Sequence, residues 1–332
     1  MSSPFAKLPA WVDYGLMPLT NVVAGFLIAG LVVLFIGENP LAAVGILIDG
    51  AFGSINNLFY TLFYTTSFIF TGLAVAVAFH AGLFNIGGEG QAYFGGLGVG
   101  LVALALDRYV PWYVTAPLAI IAAALFGAAW ALIPAWLQAK RGSHIVITTI
   151  MFNFIASSLL IYLLVGVMKE PGNMSPETRA FGPGAQVPGV HTLLAALGIE
   201  WPRSPLNASV LLAIAALIGV WLLLWRTQLG YALRAVGSSP NAALYAGIEP
   251  KKLIVIAMAI SGGLAALVGI NEIAGVHNRL IADFVAGAGF AGIAVSLIGR
   301  NHPLGIALAA LLFGALYQGG AELAFEIQGF SR

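Results

Sequence analysis

The 332-residue chain is 60% hydrophobic and 8% charged, with a formal net charge of +1 and no cysteine. A mean hydropathy of +0.95, with apolar runs near the roughly 20 residues that cross a bilayer as a helix, excludes an ordinary soluble fold. The near-zero charge argues against a nucleic-acid partner, which needs a clustered basic face, and the missing cysteines exclude disulfides, thiol catalysis and zinc–thiolate centres.

The N-terminal stretch MSSPFAKLPAWVDYGLMPLT lacks the short apolar core and small-residue cleavage site of a signal peptide. The first span is therefore expected to begin just after Pro18 and to remain in the mature protein. Nine spans are expected, at roughly 19–37, 58–80, 92–106, 114–137, 144–167, 208–225, 253–272, 284–299 and 303–320. Together they describe an all-α, polytopic membrane helix bundle with broken or re-entrant helices, organised as one transmembrane unit over 1–332. Between the first two spans, NPLAAVGILIDGAFGSIN is too short and too interrupted by glycine to cross. It reads as a re-entrant or interfacial helix, tolerated at membrane depth only where protein covers its free backbone groups.

The next segment, HAGLFNIGGEGQAYFGGLGVG, breaks the helix at glycines 82, 87, 88 and 90 and places Asn85, Glu89 and Gln91 in the break. Discontinuous helices line solute paths in many transporters, and an ionisable group at membrane depth is a functional candidate. The competing reading is a cytoplasmic turn with a wetted Glu89. Gly96 and Gly100, four apart, suit close helix packing. Asn153, inside the apolar TTIMFNFIASS, either faces a polar lumen or hydrogen-bonds between helices.

Residues 168–207 form a long Pro- and Gly-rich loop that either covers the mouth of the bundle or is a solvated connector. Its Asn173-Met174-Ser175 and Asn207-Ala208-Ser209 match the glycosylation pattern, which occurs often by chance. The polar island 226–252, RTQLGYALRAVGSSPNAALYAGIEPKK, is more ordered than a linker. Ser238 and Ser239 supply a hydroxyl N-cap before Pro240 at the first helical position. Residues 241–246 then make a short helix, and Gly247 sits where a C-cap belongs. A short, capped, basic-flanked helix held outside the bilayer is a docking element. Further on, Asn271 and Glu272 compete between a solvated helix end and a gate, and Glu322 is a further polar residue in an apolar run; His80 and His144 flank spans as interfacial groups.

With the N-terminus inside, the cytoplasmic basic residues are Lys7, Lys140, Arg141, Arg226, Arg234, Lys251, Lys252 and Arg300. The other side receives Arg108, Lys169, Arg179, Arg203 and Arg279, a bias in the direction of the positive-inside rule. No catalytic or metal site is legible: Walker A, H-E-x-x-H and G-x-S-x-G are all missing. Gly287-x-Gly289-x-x-Gly292 matches the dinucleotide pattern without the strand that pattern requires.

AGLFNIGGEGQAYFGGL, then GYALRAVGSSPNAALYAGI, then GAGFAGIAVSLIGRNHPLGIALAALLFGAL, in that order along nearly the whole chain, resemble the permease subunits of bacterial ABC importers. The resemblance is to the family of branched-chain amino acid, ribose and nucleoside permeases, and the GGEGQ and IGRNHPLG forms are most similar to its nucleoside (simple sugar) branch. It implies a non-catalytic subunit in the bacterial inner membrane, N-terminus cytoplasmic, that carries no cofactor and relies on ATP bound by a cytoplasmic ABC ATPase. Arg234, Ser239, Pro240, Asn241, Ala242, Tyr245 and Gly247 become the ATPase-docking residues. Asn85, Glu89, Gln91, Asn153, Asn271 and Glu272 become candidates for the translocation path. A second permease subunit, identical or not, and an extracytoplasmic solute-binding lipoprotein complete the importer. Within the family the cargo could instead be a sugar or a branched-chain amino acid. Rivals outside it are a stand-alone secondary transporter or channel, disfavoured by the scarcity of buried acids and histidines, and an intramembrane enzyme, for which no catalytic pair is found. The family usually has about ten spans, so a further helix is expected beyond 326–332.

Overall fold

Why the chain turns where it does is visible in a computed structural model that describes Pro9, residues 11–196 and residues 198–326. Lys7 and the expectation about the chain beyond 326 lie outside the described residues. Among them there is no strand, only the isolated bridges Glu177 to Ile281 and Gly189 to Asn207. The helices are α1 (Met17–Ile36), α2 (Pro40–Phe52), α3 (Ile55–His80), α4 (Gly88–Leu106), α5 (Trp112–Trp136), α6 (Ile145–Gly166), α7 (Val190–Ala196), α8 (Ser209–Arg226), α9 (Gln228–Ser238), α10 (Pro240–Tyr245), α11 (Pro250–Ala266), α12 (Ala288–Ile298) and α13 (Pro303–Glu326). π-Helical turns extend α5 over Leu137–Arg141 and follow α11 over Ile270–His277.

Seven helical stretches among the described residues are long and apolar enough to cross a membrane: α1, α3, α5, α6, α8, α11 with its π-helical extension, and α13. The other two expected spans differ in kind. α4 starts at Gly88, four residues before the expected 92, because the broken segment feeds directly into it. α12 has 11 residues, about 16 Å of helix against a hydrocarbon core of about 30 Å. It is a half-helix, and the expected span 284–299 includes the turn that leads into it. α2, with 13 residues, is likewise too short to cross and packs its Gly50 edge on Glu322 and Gly319 of α13. This agrees with the re-entrant or interfacial reading.

α3 is the central post, buried from Thr65 to Ala78, with α8, α11, α12 and α13 packed around it and α4 held between α5, α6 and α11. A helix apolar on all sides suits such a position. α1 is the opposite case: Leu19, Phe26, Leu27, Leu31 and Phe35 are all exposed. α8 separates two ends of the bundle, one carrying the 168–207 loop and the other carrying α9 and α10. Trp112 and Tyr113 are exposed at the loop end. At the α9–α10 end, Arg141 lies 5.8 Å over Trp136 and Arg226 5.2 Å over Trp221. Aromatic rings at both ends of apolar helices are the pattern of membrane-interface belts.

The middle of the 168–207 loop is pinned to the bundle, while residues 170–176, 192–196 and 198–203 are largely exposed. Thr178 N–H donates to Leu280 O (3.0 Å), Phe181 N–H to Asn278 O (2.7 Å) and Val187 N–H to Ala274 O (2.9 Å). The Arg179 guanidinium forks onto Asp107, Nη1 to Oδ2 at 2.6 Å and Nη2 to Oδ1 at 3.0 Å, and Gly182 N–H adds a bond to Oδ2 at 2.7 Å. The Asp107 side chain is 1% exposed. The Arg179 hydrogen bond holds its carboxyl below the ordinary carboxylate range, against the opposing effect of burial. Because the folded value is depressed, this tie is fully present above the unfolded value of about 3.9 and is lost as pH falls through the folded value. Asp107→Asn is therefore expected to speed limited proteolysis within 168–207 about tenfold at pH 7, the size of one lost charge-assisted pair. The difference from the unsubstituted protein should vanish once pH falls below the Asp107 value, and equal cleavage rates at pH 7 would rule the tie out as the loop's anchor.

Candidate functional site

After α3 ends at His80, the chain turns at Gly82 and runs back without helix until α4 begins at Gly88. The turn sits against Gly237 of α9, at the α9–α10 end. Gly90 in the first turn of α4 meets Asn153, eight residues into α6 and so ~12 Å from that end. The break thus lies well inside the bundle, which removes the reading of a wetted cytoplasmic turn.

Unpaired backbone groups at that depth each cost several kcal/mol in an apolar medium, and amide side chains supply the partners. Asn153 donates from Nδ2 to Ile86 O (2.9 Å) and accepts from Gly90 N–H at Oδ1 (2.9 Å). Asn85 accepts from Gly87 N–H at Oδ1 (2.9 Å) and donates from Nδ2 to Gln91 Oε1 (2.9 Å) and to Ser261 Oγ (2.8 Å). Gln91 Nε2 returns a bond to Asn85 Oδ1 (3.1 Å), and Ser261 Oγ donates to Ala74 O (2.6 Å). Asn85, Gln91 and Asn153 are 1%, 1% and 5% exposed. Composition pointed to the two asparagines and the glutamine, but not to Ser261, 176 residues from Asn85. Asn153→Leu leaves Ile86 C=O and Gly90 N–H without partners, and at about 1–3 kcal/mol each the protein should lose ~2–6 kcal/mol of stability. A thermal midpoint in detergent unchanged from the parent would contradict this.

Glu89 lies in the first turn of α4 and is 6% exposed. Its Oε1 accepts from Gly287 N–H (2.9 Å) and its Oε2 from Gly289 N–H (2.8 Å), the N-cap and second residue of α12. One carboxylate therefore sits between two helix N-termini, where partial positive charge from both macrodipoles favours it. Gly289 must be glycine, because a Cβ there would overlap the Glu89 backbone. The glycine-rich pattern at 287–292 is thus a helix start whose free amides are taken up by a carboxyl group supplied by the chain itself. Beside it, Tyr93 Oη donates to Asp283 Oδ1 (2.7 Å).

Asn271 and Glu272 fall in the π-helical segment, nearer the loop end, and join a separate cluster. Asn271 is fully buried, so it is not a solvated helix end. It donates from Nδ2 to Ser67 Oγ (2.8 Å) and Phe63 O (3.2 Å), while Oδ1 accepts from Ser209 Oγ (2.7 Å) and Asn207 Nδ2 (3.0 Å). Ser67 Oγ in turn donates to Glu272 Oε1 (2.8 Å). Asn207 is 0% exposed, which rules its glycosylation pattern out in the folded protein. His80 donates from Nε2 to Asn301 O (3.1 Å) and Gln318 donates from Nε2 to Glu322 Oε1 (3.1 Å).

At the other end, α10 is capped on both sides. Ser239 Oγ accepts from Ala242 N–H (3.3 Å) and Pro240 takes the first position. Gly247, at φ 79°, closes a Schellman arrangement in which Gly247 N–H donates to Leu244 O and Ile248 N–H to Ala243 O, both 3.0 Å. Only Ala243 faces the protein; Asn241, Ala242 and Gly247 are exposed, Leu244 is 61% and Tyr245 95% exposed. Arg234 lies apart from them on α9, half-buried, with its Nε enclosed and without a partner.

Residues 57–328 match the family described as branched-chain amino acid transport system / permease component. The chain is 35% identical over 327 residues to a glucose ABC transporter permease of Haloferax volcanii, covering 98% of this chain and 85% of that one. It is 34% identical over 312 residues to a guanosine ABC transporter permease of Bacillus subtilis, covering 94% and 87%. It is also 34% identical over 313 residues to a nucleoside ABC transporter permease of Lactococcus lactis, covering 92% and 83%. No solved structure matches the chain.

Proposed function

Since the chain belongs to the branched-chain amino acid transport system / permease component family, as a non-catalytic ABC importer permease, we propose that it passes a nucleoside across the bacterial inner membrane. A cytoplasmic ABC ATPase docks on α10, a second permease subunit encloses the path, and an extracytoplasmic solute-binding lipoprotein delivers cargo at the loop end. The observation that carries the docking assignment is α10 itself, a six-residue helix fixed at both ends whose Leu244 and Tyr245 stand exposed outside the apolar helices. The same end holds Lys140, Arg141, Arg226, Arg234, Lys251, Lys252 and Arg300, against Arg108, Lys169, Arg179, Arg203 and Arg279 at the other. That asymmetry supports a cytoplasmic α9–α10 end and N-terminus.

In this reading the permease rocks between two packed arrangements when its ATPases close, a rigid-body change about a fixed site. Glu89, with the Asn85, Gln91 and Asn153 network, holds the broken helices together near mid-depth, and Asn271 and Glu272 do the same nearer the outer mouth. The solute path runs beside these residues, so a shift of α12 against α4 changes its width.

Two of the three relatives above are named for guanosine or nucleosides, and this supports a nucleoside cargo. The glucose permease, similar over 98% of this chain, supports a sugar as the second reading. Competition in proteoliposomes holding the whole importer decides between them. Labelled guanosine should enter and unlabelled nucleosides should displace it, whereas uptake displaced by glucose alone would give the cargo to the second reading.

A further inference from the structure

On the flank of the bundle, near the α9–α10 end, a cleft of about 220 Å³ opens between α8 and α13, lined by Leu217, Ile218, Trp221, Pro303 and Leu304. Every lining side chain is aliphatic or aromatic, and Ile218 and Leu304 are 55% and 73% exposed. The cleft is smaller than the roughly 300–1,000 Å³ of small-molecule sites, and a narrow apolar slot suits a hydrocarbon chain rather than a hydrated ring. Leu217 lies nine residues, ~14 Å, before Arg226 at the end of α8. That is about half of a hydrocarbon core about 30 Å thick, the depth of one leaflet.

The mouth of this cleft is positive. Arg226 is exposed and holds its guanidinium 5.2 Å over the Trp221 ring, which forms one wall. No ion pair among the described residues uses it. Pro303 and Leu304 are the first residues of α13, so the positive end of that helix dipole lies at the same rim. Arg300 stands exposed three residues earlier. α8, α9 and α12 contain no Asp or Glu, and the acids of α13, Glu322 and Glu326, are at its opposite end. An apolar slot of leaflet depth beneath an unpaired cation fits one class of molecule, a phospholipid with a net negative headgroup.

We propose that this cleft binds an anionic phospholipid of the leaflet at the α9–α10 end, with part of one acyl chain between α8 and α13 and the phosphate on Arg226. The lipid braces α8 against α13 just before the turn into α9 and α10. That turn is tight: only Thr227 separates α8 from α9, and a Cβ at Gly230 would overlap the backbone of Leu223 and Leu224. The inference depends on how the helices sit in the bilayer and not on which solute is carried.

The test titrates the complete permease–ATPase complex, delipidated in detergent, with phosphatidylglycerol and, separately, with phosphatidylcholine of the same chains. Retained lipid is counted by native mass spectrometry. Phosphatidylglycerol should bind saturably and about tenfold more tightly than phosphatidylcholine, the size of one charge-assisted bond, and should raise the thermal midpoint. Arg226→Ala should bring phosphatidylglycerol down to the phosphatidylcholine level. Ile218→Trp, which fills the cleft from its exposed rim, should weaken both lipids. Both side chains are exposed, so each variant should elute from gel filtration as the parent does. Equal affinity for the two lipids in the parent, or parent-like phosphatidylglycerol binding in both variants, would overturn the proposal. So would an Ile218→Trp variant that loses the second permease subunit while binding phosphatidylglycerol as the parent does, which would make this flank a subunit contact.

Discussion

Replacing residues 241–246 with a glycine–serine linker is expected to abolish solute uptake and the stimulation of ATP hydrolysis by loaded binding protein. The permease should still reach the membrane and fold. α10 contributes only Ala243 to the protein interior, so its loss removes little packing. What disappears is a rigid, pre-capped surface. A six-residue helix is far too short to persist alone, because nucleation is unfavourable in isolated short helices. It exists because Ser239, Pro240 and Gly247 fix both ends. A flexible linker retains the tether but transmits no displacement. Tyr245→Ala, which removes the most exposed aromatic group of α10, should lower uptake about tenfold, within the range for truncating an aromatic anchor at an interface. Solute-stimulated ATP hydrolysis at the parent rate in the linker variant would sink the coupling assignment.

Glu89→Gln is expected to cut transport at least about tenfold and to lower the stability of the assembled permease by ~2–4 kcal/mol. The carboxylate accepts two amides from the start of α12. A glutamine offers one acceptor and sets an NH2 against the second amide. It also discards the negative charge that both helix N-termini favour. Gly289→Ala probes the same junction from the opposite side: its Cβ has no room against the Glu89 backbone, and it should resemble Glu89→Gln in both assays. Parent-like uptake and melting in Glu89→Gln would show that the α4–α12 junction does not depend on this carboxylate.

The features legible in the sequence are the local ones. The caps of α10 lie within nine residues of each other, and each acts on its immediate neighbours, so serine, proline and glycine could be read directly. The helix break after His80 was legible for the same reason, since its glycines are contiguous with the polar groups they expose. The amides there were visible as exceptions in apolar surroundings, but their partners were not. Asn85 reaches Ser261, and Asn271 reaches Ser67 and Asn207, across 64 or more residues. The half-helix α12 was hidden because residues 284–299 are continuously apolar. Its entry turn depends on positive φ at Asp283, Ala286 and Gly287, and hydropathy carries no trace of backbone sign. Gly287 and Gly289 did leave a signal, a glycine-rich helix start. With no strand before it, the pattern could not be assigned a partner until Glu89 was placed beside it in space.

The central claim is that this permease moves solute only when an ATPase acts on α10. Uptake of labelled guanosine into proteoliposomes tests it most directly, comparing the complete importer supplied with ATP against the permease alone under a proton or sodium gradient. The account predicts ATP-dependent accumulation in the complete importer, none in the permease alone, and none in the complete importer carrying the α10 linker. Gradient-driven uptake by the permease alone would contradict it and identify a secondary transporter.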